Sequence, residues 1–399
     1  MSAILIRSAR VLAQDGPIDA CDVLIDGCIV HALGQLQAPS GAQIIEARGR
    51  VLMPAFIDAH THLCWAGDRL DEWGQKRAGA SYLDILKAGG GIMSTVRAVR
   101  RATQQQLSDD IVQRLEVMLR EGTVACEIKS GYGLDTASEL KMLRAIAEAG
   151  ARSKVHVVPT ACIGHALDPD TPGGRASFIA HIIRETLSAV HAEFPNVAID
   201  AYIEEGAWSL DDGIRLFETA LELGHPVRVH ADQFNALGMT EWAIAHGALS
   251  VDHLEATGPD GICAVGASDS CAVVLPISGF HTDQRYANGR ALLDAGAKLV
   301  VATNCNPGSA PSSSMPLAIA LAVRHCGLTP VEALRACTAN AADLLRIQDP
   351  MFPIAGVIAP QTPADLILLR HTDERELAHT LGGNPVDLVI ANGQIVAGG

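Results

Sequence analysis

The sequence lacks the features that would place it in a membrane or in an oxidising compartment. It has no uninterrupted run of 18 apolar residues, so no transmembrane helix is predicted. Its ten cysteines include no Cys-x-x-Cys pair, and residues 1–7 lack the charged start and the long apolar segment of a signal peptide. We therefore expect reduced thiols, no membrane partner and a cytoplasmic location.

Positive charge is also scarce. The chain has 30 Lys and Arg residues against 45 Asp and Glu residues, which gives a formal net charge of −15. This balance argues against nucleic acid and anionic membrane surfaces as partners. A small anionic substrate would need a local cationic clamp to overcome the overall field.

Apolar residues are plentiful. They make up 48% of the 399 residues, enough for a domain of about 250–300 residues and a smaller one. Residues 1–55 and 355–399 both contain short β-rich runs separated by Asp-Gly or Asn-Gly, which is a hairpin signal. We expect these two ends to form one small β-domain, with residues 56–354 inserted between them.

The middle of the chain alternates between strand and helix patterns. The first strand candidate is the apolar run 51–57, which leads to His60 and His62. The other strand candidates cover residues 124–129, 155–160, 198–203, 226–230, 249–253, 272–276 and 298–303. The helical patterns cover residues 108–121, 137–149, 175–192, 210–223, 236–246, 260–268, 283–295, 315–326 and 330–345. Eight successive strand-then-helix units predict an α/β fold of the TIM (β/α)8 barrel type. A doubly wound open sheet is the alternative.

Polar residues follow nearly every one of these strands. His60 and His62 are two positions apart, so a strand places both side chains on one face. His230 and His253 follow the fifth and sixth strands. In a TIM barrel the carboxyl ends of all strands converge on one mouth, where catalysis occurs.

Three of these histidines, His60, His62 and His230, can surround one divalent metal and leave a position open for water. Such a metal lowers the pKa of water toward neutrality. His253 is then placed to orient or deprotonate the water. Alternatively, His253 only holds a ligand histidine in its tautomer.

A cationic clamp and flexible loops are also present. Arg69 follows the first strand and can bind a carboxylate through two hydrogen bonds. Tyr82 and Tyr132 lie near glycine-rich turns that suit loops approaching a ligand, although Tyr82 can equally be a packing residue. Gly308 and Ser309 can offer backbone N–H groups to a carboxylate or an oxyanion.

Together these motifs resemble the amidohydrolase superfamily and, within it, the imidazolonepropionase family. The matching segments are 58–63 (DAHTHL), 89–92 (GGGI), 127–134 (EIKSGYGL), 164–166 (GHA), 230–233 (HADQ), 252–254 (DHL) and 306–309 (NPGS). The resemblance implies a TIM barrel with a small β-sandwich, one zinc or iron ion and a homodimer. It implies hydrolysis of 4-imidazolone-5-propanoate to N-formimino-L-glutamate.

The resemblance also assigns roles by position. It implies that His60, His62 and His230 are metal ligands. It implies that the substrate is contacted by Arg69, Tyr82, Tyr132 and His165, and that its carboxylate is contacted by Asn306, Gly308 and Ser309. It places Gln233 near the substrate and the water. It implies that His253 activates the water or polarises the ring carbonyl.

One position departs from the family pattern. The family has Asp, as metal ligand and proton acceptor, where this chain has Asn304. An amide cannot act as a base near pH 7 and offers the metal only a neutral oxygen. Either this is a deliberately inactivated form or the natural protein has diverged, and we expect slow turnover in both cases.

Two other functions remain open. A deaminase or another cyclic-amide hydrolase on the same barrel would share the histidines but would need no carboxylate clamp. A ligand-binding protein that has lost catalysis is suggested by Asn304 alone.

Overall fold

The structure is a computed structural model that describes residues 3–79, 90–348 and 355–398. Its strands are β1 Ile4–Ala13, β2 Gly16–Asp26, β3 Ile29–Gly34, β4 Gln43–Glu46, β5 Val51–Pro54, β6 Phe56–Asp58, β7 Thr123–Lys129, β8 His156–Gly164, β9 Ala198–Ala201, β10 Arg228–Ala231, β11 Ser250–His253, β12 Cys271–Val274, β13 Lys298–Val301, β14 Leu366–Leu369, β15 Val386–Ala391 and β16 Gln394–Gly398.

The helices lie mainly between the strands of the middle segment. They are α1 Leu70–Arg77, α2 Ile92–Arg101, α3 Gln104–Arg120, α4 Thr136–Arg152, α5 Gly174–His181, α6 Leu187–Glu193, α7 Leu210–Glu222, α8 Met239–Ala245, α9 Pro259–Gly266, α10 Pro276–His281, α11 Gly289–Asp294, α12 Met315–His325, α13 Pro330–Ala336, α14 Ala339–Gln348 and α15 Glu376–His379, with a π-helical turn, Ile182–Thr186, between α5 and α6. Among the described residues, none of these helices combines the length and the apolar character needed to cross a bilayer.

Strands from both chain ends form one eight-stranded sheet. Its order is β16-β15-β14-β5-β1-β2-β3, with β4 beside β1. The two ends meet where β14 pairs antiparallel with β5, for example Leu368 with Leu52. At the β15–β16 hairpin, Asn392 and Gly393 both have positive φ (50° and 70°), which is the geometry that the Asn-Gly pair predicts. The sheet has a hydrophobic core of its own, separate from the larger core of the molecule.

The middle of the chain forms two four-stranded parallel sheets, β6-β7-β8-β9 and β10-β11-β12-β13. Bridges Ile199–Val227 and Tyr202–His230 join β9 to β10, and the bridge Thr61–Cys305 joins the ends of the first and last strands. The eight strands therefore close into a TIM-barrel-type fold. This closure rules out the open doubly wound sheet.

The first predicted strand is wrong in one respect, because the apolar run 51–57 divides into β5 and β6. Pro54 still pairs with Leu366 in the small sheet, whereas the N–H of Phe56 already donates to the carbonyl of Gly122 in the barrel. The chain changes sheets at Ala55, so β6 is only three residues long. His60 and His62 consequently lie just beyond it, at the barrel mouth.

The helices form where capping and apolar spacing coincide. At the start of α3, the hydroxyl of Thr103 accepts from the N–H of Gln106, whose side chain accepts from the N–H of Thr103. The helix then buries Leu107, Ile111 and Leu115 at spacings of four residues. Such helices cover the outside of the barrel and leave its carboxyl end for polar side chains.

Candidate metal centre and substrate site

The barrel brings together the three histidines that were expected to bind a metal. One nitrogen from each of His60, His62 and His230 lies within 4.8 Å of the others. The Nε2 atoms of His62 and His230 are 3.2 Å apart, and the ring centroids of His60 and His230 are 4.6 Å apart. All three side chains are buried. Imidazoles separated by about 170 residues of sequence thus share one pocket.

Carboxylates orient two of these rings. His60 Nδ1 donates to Asp252 Oδ2 at 2.6 Å, and His230 Nδ1 donates to Asp200 Oδ1 at 3.1 Å. A proton held at Nδ1 leaves Nε2 with a free lone pair, as a metal ligand requires. His60 Nε2 and His62 Nδ1 are buried with no hydrogen-bond partner in the described structure. The residues present therefore fit a divalent metal.

Burial also keeps the rings neutral. Desolvation lowers the pKa of His60, His62 and His230, and neighbouring positive charge on Lys129 adds to this effect. A metal competes with protons for the same lone pairs, so low pKa values favour metal binding at neutral pH.

A network of fully buried charges lies beneath the histidines. Lys129 Nζ donates to Glu127 Oε1 and Asp200 Oδ2, each at 2.7 Å. Arg228 Nη2 donates to Asp252 Oδ2 at 2.9 Å, and its Nη1 lies 3.6 Å from Glu127. Burial opposes these charges, but the ion pairs outweigh it: the carboxylates raise the pKa of Lys129, and His230 and Lys129 lower that of Asp200. Lys129 and Asp200 thus stay ionised, and the network contacts the rings of both His60 and His230.

His253 lies beside this cluster. Its ring centroid is 5.5 Å from that of His230 and 6.1 Å from that of His60. Its Nδ1 donates to Glu255 Oε1 at 3.2 Å, so Nε2 is the acceptor nitrogen. Asp252 and Asp200 already accept from the Nδ1 atoms of His60 and His230, which favours the role of His253 as a base over that of a tautomer-holding partner.

Tyr132 and His165 form an adjoining wall of the pocket. The ring of His165 stacks on His62 with centroids 4.7 Å apart, and Tyr132 lies 5.1 Å from His165. Burial, with the neighbouring His230, lowers the pKa of His165 to about 3, so the ring is neutral. Burial raises the pKa of Tyr132, which keeps its hydroxyl protonated.

A tightly built loop holds these two residues in place. Glu139 accepts from the N–H groups of Gly131, Gly133 and Leu134 at 2.7–2.9 Å. Gly131 has φ +115°, and a Cβ there would lie 2.8 Å from His165 Nδ1. Glycine is therefore required at position 131 both by the backbone and by the approach of His165.

Arg69 is part-buried near the loop 306–309, and two of its guanidinium nitrogens are already hydrogen-bonded. Its Nε and Nη2 both donate to Glu72 at 2.6 Å. Its Nη1 faces Gly308, where an added Cβ would lie 3.3 Å away. A bidentate clamp on a substrate carboxylate, as expected from the sequence, would have to displace Glu72. Without that displacement, Nη1 is the group left for the substrate.

The loop 306–309 also differs from its expected state. The N–H groups of Gly308 and Ser309 both donate to Asn306 Oδ1 at 2.8 Å. They were expected to be open to a carboxylate, and instead Asn306 satisfies them. Gln233 is half-buried in the loop after β10, whereas Tyr82 and Gly89 lie outside the described residues.

Comparison with known proteins agrees with this geometry. Residues 51–396 match the amidohydrolase family. The chain is 40% identical over 396 residues to the imidazolonepropionase of Herpetosiphon aurantiacus, covering 96% of this chain and 92% of that protein. It is 42% identical over 368 residues to that of Deinococcus deserti, covering 92% and 90%. The chain belongs to the imidazolonepropionase family of amidohydrolases.

Solved structures extend the likeness to the fold. A triazine hydrolase variant superposes with a TM-score of 0.76 at 17% identity, covering 100% of this chain and 95% of that one. The 5-methylcytosine deaminase of Klebsiella pneumoniae superposes with a TM-score of 0.74 at 16% identity, covering 99% and 97%. At these identities the likeness shows the fold and no more.

Asn304 lies beside His60, one of the three candidate metal ligands. Its N–H donates to the carbonyl of His60 at 3.0 Å, and its own carbonyl accepts from Asn306 Nδ2 at 2.7 Å. The residue is buried with φ +57°, a conformation that Asn and Asp adopt more readily than other side chains. The backbone at this position is therefore suited to an Asp as well.

Sequence reasoning gave no role to the charges below the histidines. A signal was present, because Glu127 and Arg228 stand two positions before Lys129 and His230 in otherwise apolar strands. Residues two apart on a barrel strand point to the same side. A charge at such a position therefore indicates the barrel interior, where it needs a partner.

Glu204 was also missed. It accepts from the N–H of Phe234 at 2.8 Å and from the side chain of Asn235 at 2.7 Å, so it fixes the loop that carries Gln233. Its place at the end of β9 was visible in the sequence, but its partners lie some 30 residues away.

Proposed function

We propose that this chain hydrolyses 4-imidazolone-5-propanoate to N-formimino-L-glutamate in histidine degradation, as a metal-dependent cyclic-amide hydrolase. The observation that supports this most strongly is the convergence of His60, His62 and His230 in a member of the imidazolonepropionase family. Within the described part of the chain, His60 Nε2 and His62 Nδ1 are buried without a hydrogen-bond partner. In the reaction, the oxygen of a water adds to the ring carbonyl carbon. The ring C–N bond then breaks, and the leaving nitrogen takes a proton.

The cofactor would be one divalent ion, zinc or iron. His60, His62 and His230 would hold it, with the amide oxygen of Asn304 as a further neutral ligand. When bound, the ion supplies Lewis acidity to water and to the ring carbonyl. Imidazole ligands accept both metals, so metal supply decides between them.

The chain's own residues supply proton transfer and orientation. His253 Nε2 accepts the proton of the attacking water and carries it to the leaving nitrogen, and Glu255 stabilises the charged ring from the Nδ1 side. Gln233, in the loop that Glu204 fixes, is proposed to act near the substrate and the water. In this scheme Asn304 accepts no proton, because a carboxamide is not a base at neutral pH.

The substrate lies between two walls. Tyr132 and His165 contact the ring, and Arg69 attracts the propanoate carboxylate, with Tyr82 as a further contact. Asn306, Gly308 and Ser309 bind the same carboxylate once their internal hydrogen bonds are exchanged. The clamp explains how a chain of net charge −15 can attract an anion.

The decisive experiment is Asn304→Asp. Restoring a carboxylate supplies a base and an anionic ligand, and we expect turnover of imidazolone propanoate to rise about 100-fold or more. Such a gain indicates that the present sequence is an inactivated form. No gain in metal-loaded protein counts against this explanation and favours a chain that has diverged.

Two alternatives have distinct outcomes in the same assay. Turnover of a neutral base such as guanine, with none of imidazolone propanoate, would make the chain a deaminase of the superfamily. Tight binding of a ligand that is recovered unchanged after long incubation with metal would make it a binding protein.

We also propose the wider organisation of the protein. Residues 1–55 and 355–399 form a small β-sandwich domain, supported by the separate core of the small sheet, and residues 56–354 form the barrel domain. The protein is a cytoplasmic homodimer that binds neither nucleic acid nor membrane. Light scattering during size-exclusion chromatography tests the dimer.

A further inference from the structure

Lys129 lies at the centre of the buried charge network. Its Nζ is 2.7 Å from Asp200 Oδ2 and 3.9 Å from Asp252 Oδ2. Asp200 orients His230, and Asp252 orients His60. One ammonium group thus stands between the carboxylates that direct two of the three candidate metal ligands.

We propose that Lys129 is a positioning residue of the metal centre, which fixes the direction of His230 Nε2 through Asp200. The inference rests on the proposed role of the histidines as ligands. An aspartate that has a fixed cation partner has one preferred orientation, and the imidazole that donates to it inherits that orientation. Partners of this kind typically change metal affinity about 10–100-fold when they are removed.

The geometry separates Lys129 from the second cation of the network. Arg228 donates to Asp252 at 2.9 Å and also to the carbonyl of Ala59. Asp252, which orients His60, therefore keeps Arg228 as a cation partner when Lys129 is removed. Lys129 should consequently couple more strongly to Asp200, at 2.7 Å, than to Asp252, at 3.9 Å.

Lys141 provides a matched control. It is a half-buried lysine whose Nζ donates to the carbonyls of Val99, Arg100 and Ala102 at 2.8–3.1 Å. Its contacts join α4 to the C-terminal end of α2, with no carboxylate of the network among them. Lys141→Met removes an ammonium that serves the fold, without removing one that serves the histidines.

The test measures Zn²⁺ affinity by competition with a chromophoric chelator, and ligand geometry by the visible absorption of Co²⁺. We expect Lys129→Met to weaken Zn²⁺ binding about 10–100-fold and to change the Co²⁺ spectrum. Lys141→Met should leave both unchanged even if it lowers the unfolding temperature. If Lys129→Met does not fold, Lys129→Gln is expected to show the same loss, because it lacks the charge and the reach to both carboxylates.

A double-mutant cycle tests the route of the effect. The fold-loss of Zn²⁺ affinity in the double variant Lys129→Met, Asp200→Asn should be clearly smaller than the product of the two single-variant losses. In the double variant Lys129→Met, Asp252→Asn, the fold-loss should be closer to that product. Parental Zn²⁺ affinity in a folded Lys129 variant overturns the inference. A parent chain that binds no Zn²⁺ overturns the proposed metal centre itself, which is a separate failure.

Discussion

Replacing Gly131 with alanine should move His165 and thereby weaken substrate binding. Gly131 has φ +115°, and the new Cβ would lie 2.8 Å from His165 Nδ1 and 2.9 Å from the carbonyl of Cys162. The unfavourable φ alone costs about 1–3 kcal/mol. Relief of the contact costs about 1–3 kcal/mol more, because His165 must shift away from its stack with His62.

Gly16 separates these two effects. It has a similar φ of +125°, but a Cβ there would meet nothing within 4 Å. Gly16→Ala should therefore show the backbone cost alone, in a hairpin of the small sheet far from the site. We expect Gly131→Ala to unfold at lower denaturant than Gly16→Ala, by about 1–3 kcal/mol in free energy.

Activity gives the second readout, best taken in the Asn304→Asp background where turnover is expected to be higher. A loss of about 1.4 kcal/mol in substrate binding raises KM roughly tenfold, and Gly131→Ala should show a rise of this order with unchanged Zn²⁺ content. The reasoning is refuted if Gly131→Ala and Gly16→Ala have the same stability and the same KM.

Three further outcomes are expected. Glu255→Gln should lower kcat about tenfold or more with little change in Zn²⁺ affinity, because it removes the anion that supports a charged His253; an unchanged kcat would exclude that role. Zn²⁺ at about 100 times its Kd should stabilise the chain by about 2.7 kcal/mol in thermal unfolding, an increment that a chelator or His230→Ala removes and that the exposed His246→Ala retains. Burial raises the pKa of Asp365, so the stability that its protonated form contributes is present at low pH and is lost as pH rises through the folded-state pKa. Asp365→Asn should therefore reduce the fall in unfolding free energy above pH 4. Identical pH profiles for the two proteins would contradict this.

The sequence predicts those site residues that stand at the end of an apolar strand, because the signal lies within a single segment. His60, His62, His230 and His253 stand at strand ends, and the repeat of strand and helix predicts the closed barrel that places those ends together. The turn residues alone predicted the Asn392-Gly393 hairpin, because that turn depends on backbone conformation alone.

Interactions between distant segments could not be foreseen in the same way. The pairing of Lys129 with Asp200 depends on which strands become neighbours and on how far each side chain reaches into the barrel. The pairing of Arg69 with Glu72 is local in sequence, but an arginine in a sequence does not reveal whether its partner is an internal carboxylate or that of a substrate. The division of residues 51–57 between two sheets likewise depends on Leu366, more than 300 positions later.

The pairing of β5 with β14 has a consequence for how the polypeptide matures. Ribosomal synthesis proceeds from the N-terminus, so β5 emerges long before its partner β14 exists. During that interval the flank of β5 presents unsatisfied N–H and C=O groups to other nascent chains. Until residues 366–398 have been synthesised, the small sheet therefore keeps an open edge beside β5.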